Sequence, residues 1–379
     1  MEGPVSMMAR FHRPTRLILS LALAGIFLLA LAAPTAAAPT VHVMAGQSIQ
    51  AAIDAAAPGT TIIVAPGVYH ENLQITTDGI SLRGAGPDST FLVPPDVAQP
   101  TLCSEIIEEE HESLDSGICI IGVIDPESGA VPDPVRDVRV SGFNIHGFSG
   151  PGILMLGAAD PFIHNNVAWD NEEYGIAAFI STGDHFVANT TYANGVAGIY
   201  VGDSPNADAH VVGNTSYGNL GFGIFARNAA HGAIIGNTLY DNCVGLLVLN
   251  VGEFLPVEQA GASDWTVRDN QLNHNNAVCP PDEEGPPLSG IGLAIVGGHA
   301  ISVKGNTALN NVPNGPTVGS GGVVVVSAAP FGSTDPSDVT VMGNVVLGNT
   351  PDLFWDGTGS GIVFTANDCA TSVPAGLCG

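Results

Sequence analysis

The sequence predicts an all-β fold, a single-domain right-handed parallel β-helix of about ten coils closed at its N-terminal end by a short capping helix. Three observations predict it. The pattern Asn-x4-Asn occurs seven times: Asn166/Asn171, Asn189/Asn194, Asn214/Asn219, Asn237/Asn242, Asn270/Asn275, Asn306/Asn311 and Asn344/Asn349. Three residues before each first Asn stands Ile163, Phe186, Val211, Ile234, Val267, Val303 or Val341, and after the second comes a Gly-apolar pair such as Gly175-Ile176, Gly198-Ile199 or Gly223-Ile224. The early repeats recur every 23 to 25 residues, which holds three short strands and three turns but not a βαβ unit.

The first 38 residues read as a targeting segment. Arg10, Arg13 and Arg16 precede an apolar run from Leu17 to Ala33 that ends in small residues at Ala36 to Ala38. Pro39 disfavours cleavage directly after Ala38, and the run is long for a signal, so retention as an N-terminal anchor is the alternative. No second spanning segment follows. Residues 39–379 then form the β-helix domain, with a cap at 41–57, regular coils over about 60–369 and a tied end at 369–379. In the cap, Ser48 followed by Ile49, Ala52, Ile53 and Ala56 gives a Ser-capped amphipathic turn or two, able to cover the open apolar end of the first coil.

Within the coils, each strand pairs with its equivalents above and below, so inward side chains stack on their own kind. An earlier coil repeats the plan with Val140, Phe143, Phe148 and Gly152-Ile153. A buried Asn is tolerable there because its amide bonds the neighbouring coil's Asn and the turn backbone, whereas an unpaired one costs several kcal/mol. The asparagines are therefore structural. Coils lengthen late, at Leu249 to Ser263, Asn276 to Ser289, Val312 to Gly321 and Thr350 to Ser360, and such insertions map to loops. One of them, with Cys279, Pro280-Pro281, Asp282-Glu283-Glu284 and Pro286-Pro287, reads as rigid and acidic.

Cys103, Cys119, Cys243, Cys279, Cys369 and Cys378 read as three disulfides of an exported chain. Of fifteen connectivities, the local one (Cys103 with Cys119, Cys243 with Cys279, Cys369 with Cys378) closes the shortest loops. Cys243, one residue after Asn242, and Cys279, four after Asn275, leave the same corner in adjacent coils.

Charge excludes some partners. The chain carries 9 Lys and Arg against 36 Asp and Glu, a net charge of −27, and residues 39–379 keep 6 against 35, near −29. Such a surface repels nucleic acid and anionic membranes, and it opposes polyuronates unless a cation such as Ca2+ bridges the like charges. With the signal removed nothing inserts in a membrane, and a secreted monomer is expected whose partner is an extracellular glycan or a surface protein.

The stretch from Ser48 through Pro58-Gly59-Thr60, Val64-Ala65-Pro66-Gly67 and Tyr69 to Glu71-Asn72-Leu73 resembles the N-terminal cap of the pectate-lyase-like right-handed β-helix superfamily. The later Val-x-Gly-Asn and Gly-Ile repeats resemble its parallel β-helix repeat branch, over Val41 to about Cys369. That branch holds polysaccharide lyases, mannuronan epimerases and a copper-site maturation protein, so the resemblance implies action on carbohydrate. In the epimerases an Asp-Pro-His-Asp motif follows the Gly-Ile of one coil. Here Gly198-Ile199 is followed by Tyr200, Val201, Gly202 and Asp203, and only Asp203 matches. Copper maturation is disfavoured because no Met or Cys cluster offers soft ligands.

Two residues after the repeat Gly, the outward positions read Leu154, Ala177, Tyr200, Phe225, Leu247, Ala294, Val324 and Val363, an apolar stripe that loops cover or a partner meets. Three residues after each first Asn, a second outward column reads Trp169, Tyr192, Tyr217 and Tyr240, between His146 and Asn273. Coils about 4.8 Å apart make it a ladder about 14 Å long, able to receive sugar rings on aromatic faces. Plain stacking is the rival reading. For acid/base work or metal binding the candidates are His164, Asp184, His185, Asp203, Asp208 and His210, with Asp203 and Asp208 as metal ligands. Against this, Asp137, Asp160, Asp208, Asp264 and Asp338 share one turn position, where Asp caps backbone amides. Arg227 and His231 complete the only cationic patch the sequence suggests.

Overall fold

The computed structural model describes residues 38–97, 99–106, 108–109, 112–125, 128–251, 261–281 and 285–379. Residues 1–37 of the targeting segment and the acidic Asp282, Glu283 and Glu284 lie outside these.

Alternating apolar positions and tight corners wind the chain into three parallel sheets, of twelve, eleven and eleven strands. The first sheet runs from Thr40–Val43 through Thr61–Val64 to Val363–Thr365; the second from Gly67–His70 to Asp368–Cys369; the third from Leu73–Ile75 to Ser372–Val373. One strand from each makes a coil, and there are eleven coils rather than about ten. The additional coil is the last, whose Asn367 is followed five residues later by Ser372, so the doubled asparagine pattern does not reveal it.

From Asn166 onward, the corners beside the second sheet repeat a left-handed residue followed by a buried Asn. Gly213, Gly236, Gly305 and Gly343 precede Asn214, Asn237, Asn306 and Asn344, all at positive φ, and Asn165 and Ala188 take the same conformation. The asparagines then form two hydrogen-bonded ladders. Asn214 Oδ1 accepts from Asn189 N at 2.9 Å and Asn189 Nδ2 at 3.1 Å, while Asn214 Nδ2 donates to Asn237 Oδ1 at 3.0 Å and to the Phe186 carbonyl at 2.9 Å. The first ladder reaches Asn367. The second ends on the buried Asp352, whose Oδ1 accepts from Asn349 and whose Oδ2 accepts from the Ala370 and Thr371 amides. Burial opposes charge on Asp352, but these donors hold its carboxyl below the usual range.

The ladders also explain the Gly-apolar pairs. A Cβ at Gly175 would stand 2.7 Å from the Gly198 carbonyl oxygen and 2.9 Å from Asn194 Nδ2. Only glycine lets the third sheet approach that closely. The apolar partner points inward, and Ile176, Ile199, Ile224, Leu246, Leu293, Val323 and Leu353 stack down the core, each contributing about 1.5–3 kcal/mol of burial.

The N-terminal helix, Ile49–Asp54, buries Ile49 and Ile53 against the first coil. Ser48 Oγ accepts from Ala51 N, and Glu71 accepts from the Ile49 and Gln50 amides and the Ser48 hydroxyl, so side chains satisfy the free amides of the first turn. Disulfides join Cys103 to Cys119, Cys243 to Cys279 and Cys369 to Cys378.

Three details differ from expectation. Thr350 to Ser360 is not one loop, because it holds the third-sheet strand Leu353–Trp355. Phe354, not Val363, therefore continues the outward apolar column, and Val363 lies exposed in the first sheet. The Gly361-Ile362 pair imitates the repeat signal one strand late. Long connections also occur early, on both sides of Ile118–Ile121, where Glu108–Glu109 and Glu112–Ser113 form a small antiparallel hairpin.

Candidate functional site

The outer face of the second sheet carries the aromatic column. Trp169, Tyr192, Tyr217, Tyr240 and Asn273 are directly paired in register, with His146 before Trp169. Successive ring centroids lie 4.5, 5.4, 5.0 and 4.8 Å apart from His146 to Tyr240, and from Trp169 onward the planes are within 10° of parallel. The rings thus cover one another's faces. The faces expected to receive sugars are mostly occupied by the neighbouring ring, and what a half-buried ladder turns to solvent is its edges. Trp169 Nε1 is committed to Asn144 Oδ1 at 2.8 Å. The hydroxyls of Tyr192, Tyr217 and Tyr240 make no hydrogen bond among the described residues, nor do those of Thr190, Thr215 and Thr238, which form the adjacent outward column. Burial raises the Tyr192 and Tyr240 phenols further above their ordinary range, so they remain hydrogen-bond donors.

On the first sheet, His185 and His210 stack at 4.9 Å with planes 7° apart, as their equal spacing from the ladder asparagines implies. Phe162 stands beneath His185 and 4.8 Å from His164, and the Arg139 guanidinium lies 5.4 Å from the Phe162 ring. Burial, then Arg139 and Arg83, lower the His164 pKa; burial, then His210, lower that of His185 against the opposing charges of Asp160 and Asp208. The structure therefore gathers His164, His185 and His210, with Asp208 exposed in the turn beside them, and adds Arg83, Arg139 and Phe162, which sequence reading missed. The signal was present: Arg139 and Phe162 each stand two residues after Asp137 and Asp160, which share a turn position.

Asp137, Asp160, Asp208, Asp264 and Asp338 do share that position, but for a different reason than amide capping. All five have φ between 43° and 56°, Gly183 and Gly361 fill the same place in other coils, and Asp is among the few residues that tolerate this region.

Asp184 and Asp203 stand apart from the histidines. Asp184 points inward, fully buried, with neither carboxyl oxygen hydrogen-bonded; burial, then the charge of Asp160, push its pKa well up. Asp203, at the end of a third-sheet strand, is also buried. Its Oδ2 accepts from Arg227 Nη2 at 2.9 Å and from the Tyr200 hydroxyl at 3.2 Å, and its Oδ1 accepts from Asn228 at 3.3 Å. Arg227 thus belongs to this network and not to a patch with His231, which lies 3.9 Å from Asp264. Around Tyr200 pack Tyr174, Phe179 and Phe225, and the ring lies over Gly202, where no Cβ could fit. The apolar column from Leu154 to Val324 is 0 to 7% exposed, so it is covered rather than open. Among the described residues no group of three or more His, Cys, Asp or Glu side chains is placed to hold a metal ion, and Asp203 and Asp208 face different surroundings.

A family model described as right handed beta helix region matches residues 115–258 and 213–328. Among solved structures, the A-module of mannuronan C-5 epimerase AlgE4 from Azotobacter vinelandii is similar at 18% identity and TM-score 0.53, covering 86% of this chain and 94% of that one. The AlgE6 A-module from the same organism gives 19%, 0.53, 86% and 92%. ORF18 of Geobacillus virus E2 gives 11% identity and 0.52, covering 81% of this chain and 52% of that one. At these identities the likeness is one of fold. No curated protein matches the chain in sequence.

Proposed function

This chain belongs to the right-handed β-helix family, and on that premise we propose that it is an exported protein that binds extracellular carbohydrate along the outer face of its second sheet. The observation that carries the reading is the double column of six uncommitted hydroxyls, Thr190, Thr215 and Thr238 beside Tyr192, Tyr217 and Tyr240, repeated at the coil spacing on a half-buried aromatic support. A sugar chain lying along the helix axis meets one Thr-Tyr pair per coil. It hydrogen-bonds to their edges while its apolar faces rest on the ring rims. The targeting pattern and the three disulfides support export. The Azotobacter neighbours are mannuronan C-5 epimerases, which makes carbohydrate the natural ligand class to test.

Glycan-array binding followed by calorimetry tests this. Trp169→Ala with Tyr217→Ala should remove most of the binding, since each anchor contributes on the order of 1 kcal/mol. Replacing Tyr192, Tyr217 and Tyr240 together by Phe keeps the ring stack and removes only the hydroxyls, and should weaken binding about tenfold. Unchanged affinity in both variants, or none in the parent, moves the assignment to a protein-interaction surface. That second reading has its own observation: Leu220, Val278, Val312 and Val318, all exposed, lie in connections beside the third sheet.

A further inference from the structure

We infer that the outer face of the first sheet, from Arg83 to His210, binds the acidic groups of an anionic polysaccharide. The inference rests on the carbohydrate reading for its ligand class and adds a second face and a charge.

Residues 39–379 hold only six Lys and Arg against 35 Asp and Glu. Among the described residues Arg83 and Arg139 form no ion pair, as is also true of Arg136 and Lys304, but only Arg83 and Arg139 cluster with the three histidines on one face. Arg83 Nε donates only to Ser81 Oγ, at 3.0 Å, and Arg139 lies over the Phe162 ring. Both are exposed, both act electrostatically on His164, and Arg139 also acts on His185. Strand register sets them in two neighbouring outward columns: Arg139, Phe162, His185 and His210 in one, Arg83 and His164 in the other. The patch is narrow. Farther along the same face Arg268 is paired with Asp269 at 2.6 Å and Lys304 lies next to it in register, so it is the clustering of unpaired arginines with histidines that is confined to these coils.

The surroundings orient the ligand. Asp137, Asp160 and Asp208 stand along the edge where each strand begins, repelling a polyanion from that side, whereas the opposite corner holds the uncharged Gly142, Asn165, Ala188 and Gly213. An acidic chain is thereby directed along the helix axis. With coils about 4.8 Å apart, it can offer about one acidic group per coil. Guanidinium groups take carboxylate or sulfate in bidentate fashion, and the ring edges of His164, His185 and His210 supply further N–H donors. The large negative net charge does not forbid this, because physiological salt screens exposed charges beyond about 8 Å, leaving local unpaired cations to decide.

The test is calorimetry on the full exported chain in calcium-free buffer, with polygalacturonate, a sulfated galactan, an uncharged galactan and inorganic polyphosphate as probes. Polygalacturonate or the sulfated chain should bind, and Arg83→Gln with Arg139→Gln should lower that affinity at least tenfold while leaving uncharged-glycan binding unchanged. Both arginines are exposed, so the variant should fold, and a matching urea midpoint confirms it. Preference between the two acidic chains identifies carboxylate or sulfate as the recognised group. Trp169→Ala with Tyr217→Ala should leave acidic-chain binding intact, which separates failure of this site from failure of the ladder. Acidic-chain affinity unaltered by the arginine changes, no acidic-chain binding at all, or polyphosphate bound as tightly as the acidic glycans would each overturn the inference.

Discussion

Replacing Asp184 by Ala should stabilise this protein. Asp184 is fully buried, and in the inward column that continues through Ala209, Gly232 and Trp265 it is the carboxyl among apolar neighbours. Both oxygens lack partners, and leaving a buried polar group unsatisfied costs about 1–3 kcal/mol. The small void left by the lost carboxyl returns roughly 0.5–1 kcal/mol of that. Alanine, already present at position 209 of the same column, should thus gain about 1 kcal/mol near neutral pH. The pH dependence has a definite sign. Burial raises the folded carboxyl above its ordinary 3.8, so between that value and the folded one the native state holds a proton that the unfolded chain has released. Parent stability therefore falls as pH rises through this window, and the advantage of Asp184→Ala grows. Urea unfolding at pH 4 and pH 8 measures both. A variant that is less stable than its parent, or an advantage that does not change with pH, would show that Asp184 has partners that its surroundings do not reveal.

Asn214→Ala should cost about 3 kcal/mol in the same assay, because it strips the Phe186 carbonyl and the Asn189 amide of buried partners at once; a loss under 1 kcal/mol would mean that the ladder is not needed coil by coil. Arg227→Ala should cost about 3 kcal/mol by stranding the buried Asp203, whereas adding Asp203→Ala should recover part of the loss, a double-mutant cycle that reads the network directly. Gly245→Ala would place its Cβ 2.6 Å from the Gly292 carbonyl oxygen and 2.7 Å from Asn275 Nδ2, and it should destabilise by about 1–3 kcal/mol through overpacking; a neutral result would show that the third sheet can move off the ladder.

Several of these features were legible in the chain itself. The Asn spacing, the apolar residue three before it and the Gly-apolar pair locate the corner, the first-sheet strand and the third-sheet strand of each coil, and the structure pairs them in the register this implies. The stacking of His185 on His210 and of Tyr192 on Tyr217 follows from equal distance to a ladder Asn. Where the pattern thinned, reading went astray. Asn367 without a second Asn hid the last coil, and Gly361-Ile362 offered a false start to a strand that Leu353–Trp355 had already supplied.

Periodic sequence determined the β-helix, its ladders and which residues share an outward column, because in a solenoid the neighbours across coils follow from spacing alone. Only the tertiary structure decided what those columns do. Near-parallel rings with centroids 4.8 to 5.4 Å apart turn aromatic faces inward to each other and leave edges for a ligand, a matter of side-chain rotation that spacing does not encode. Likewise, one residue's difference in phase sends Asp184 into the core and His185 out beside Arg139, and a strand's end ties Asp203 to Arg227 from the next coil. Charge, burial and hydrogen bonding depend on what surrounds a group in three dimensions, so the same candidates separate into a buried acid, a closed ion pair and an open cationic face.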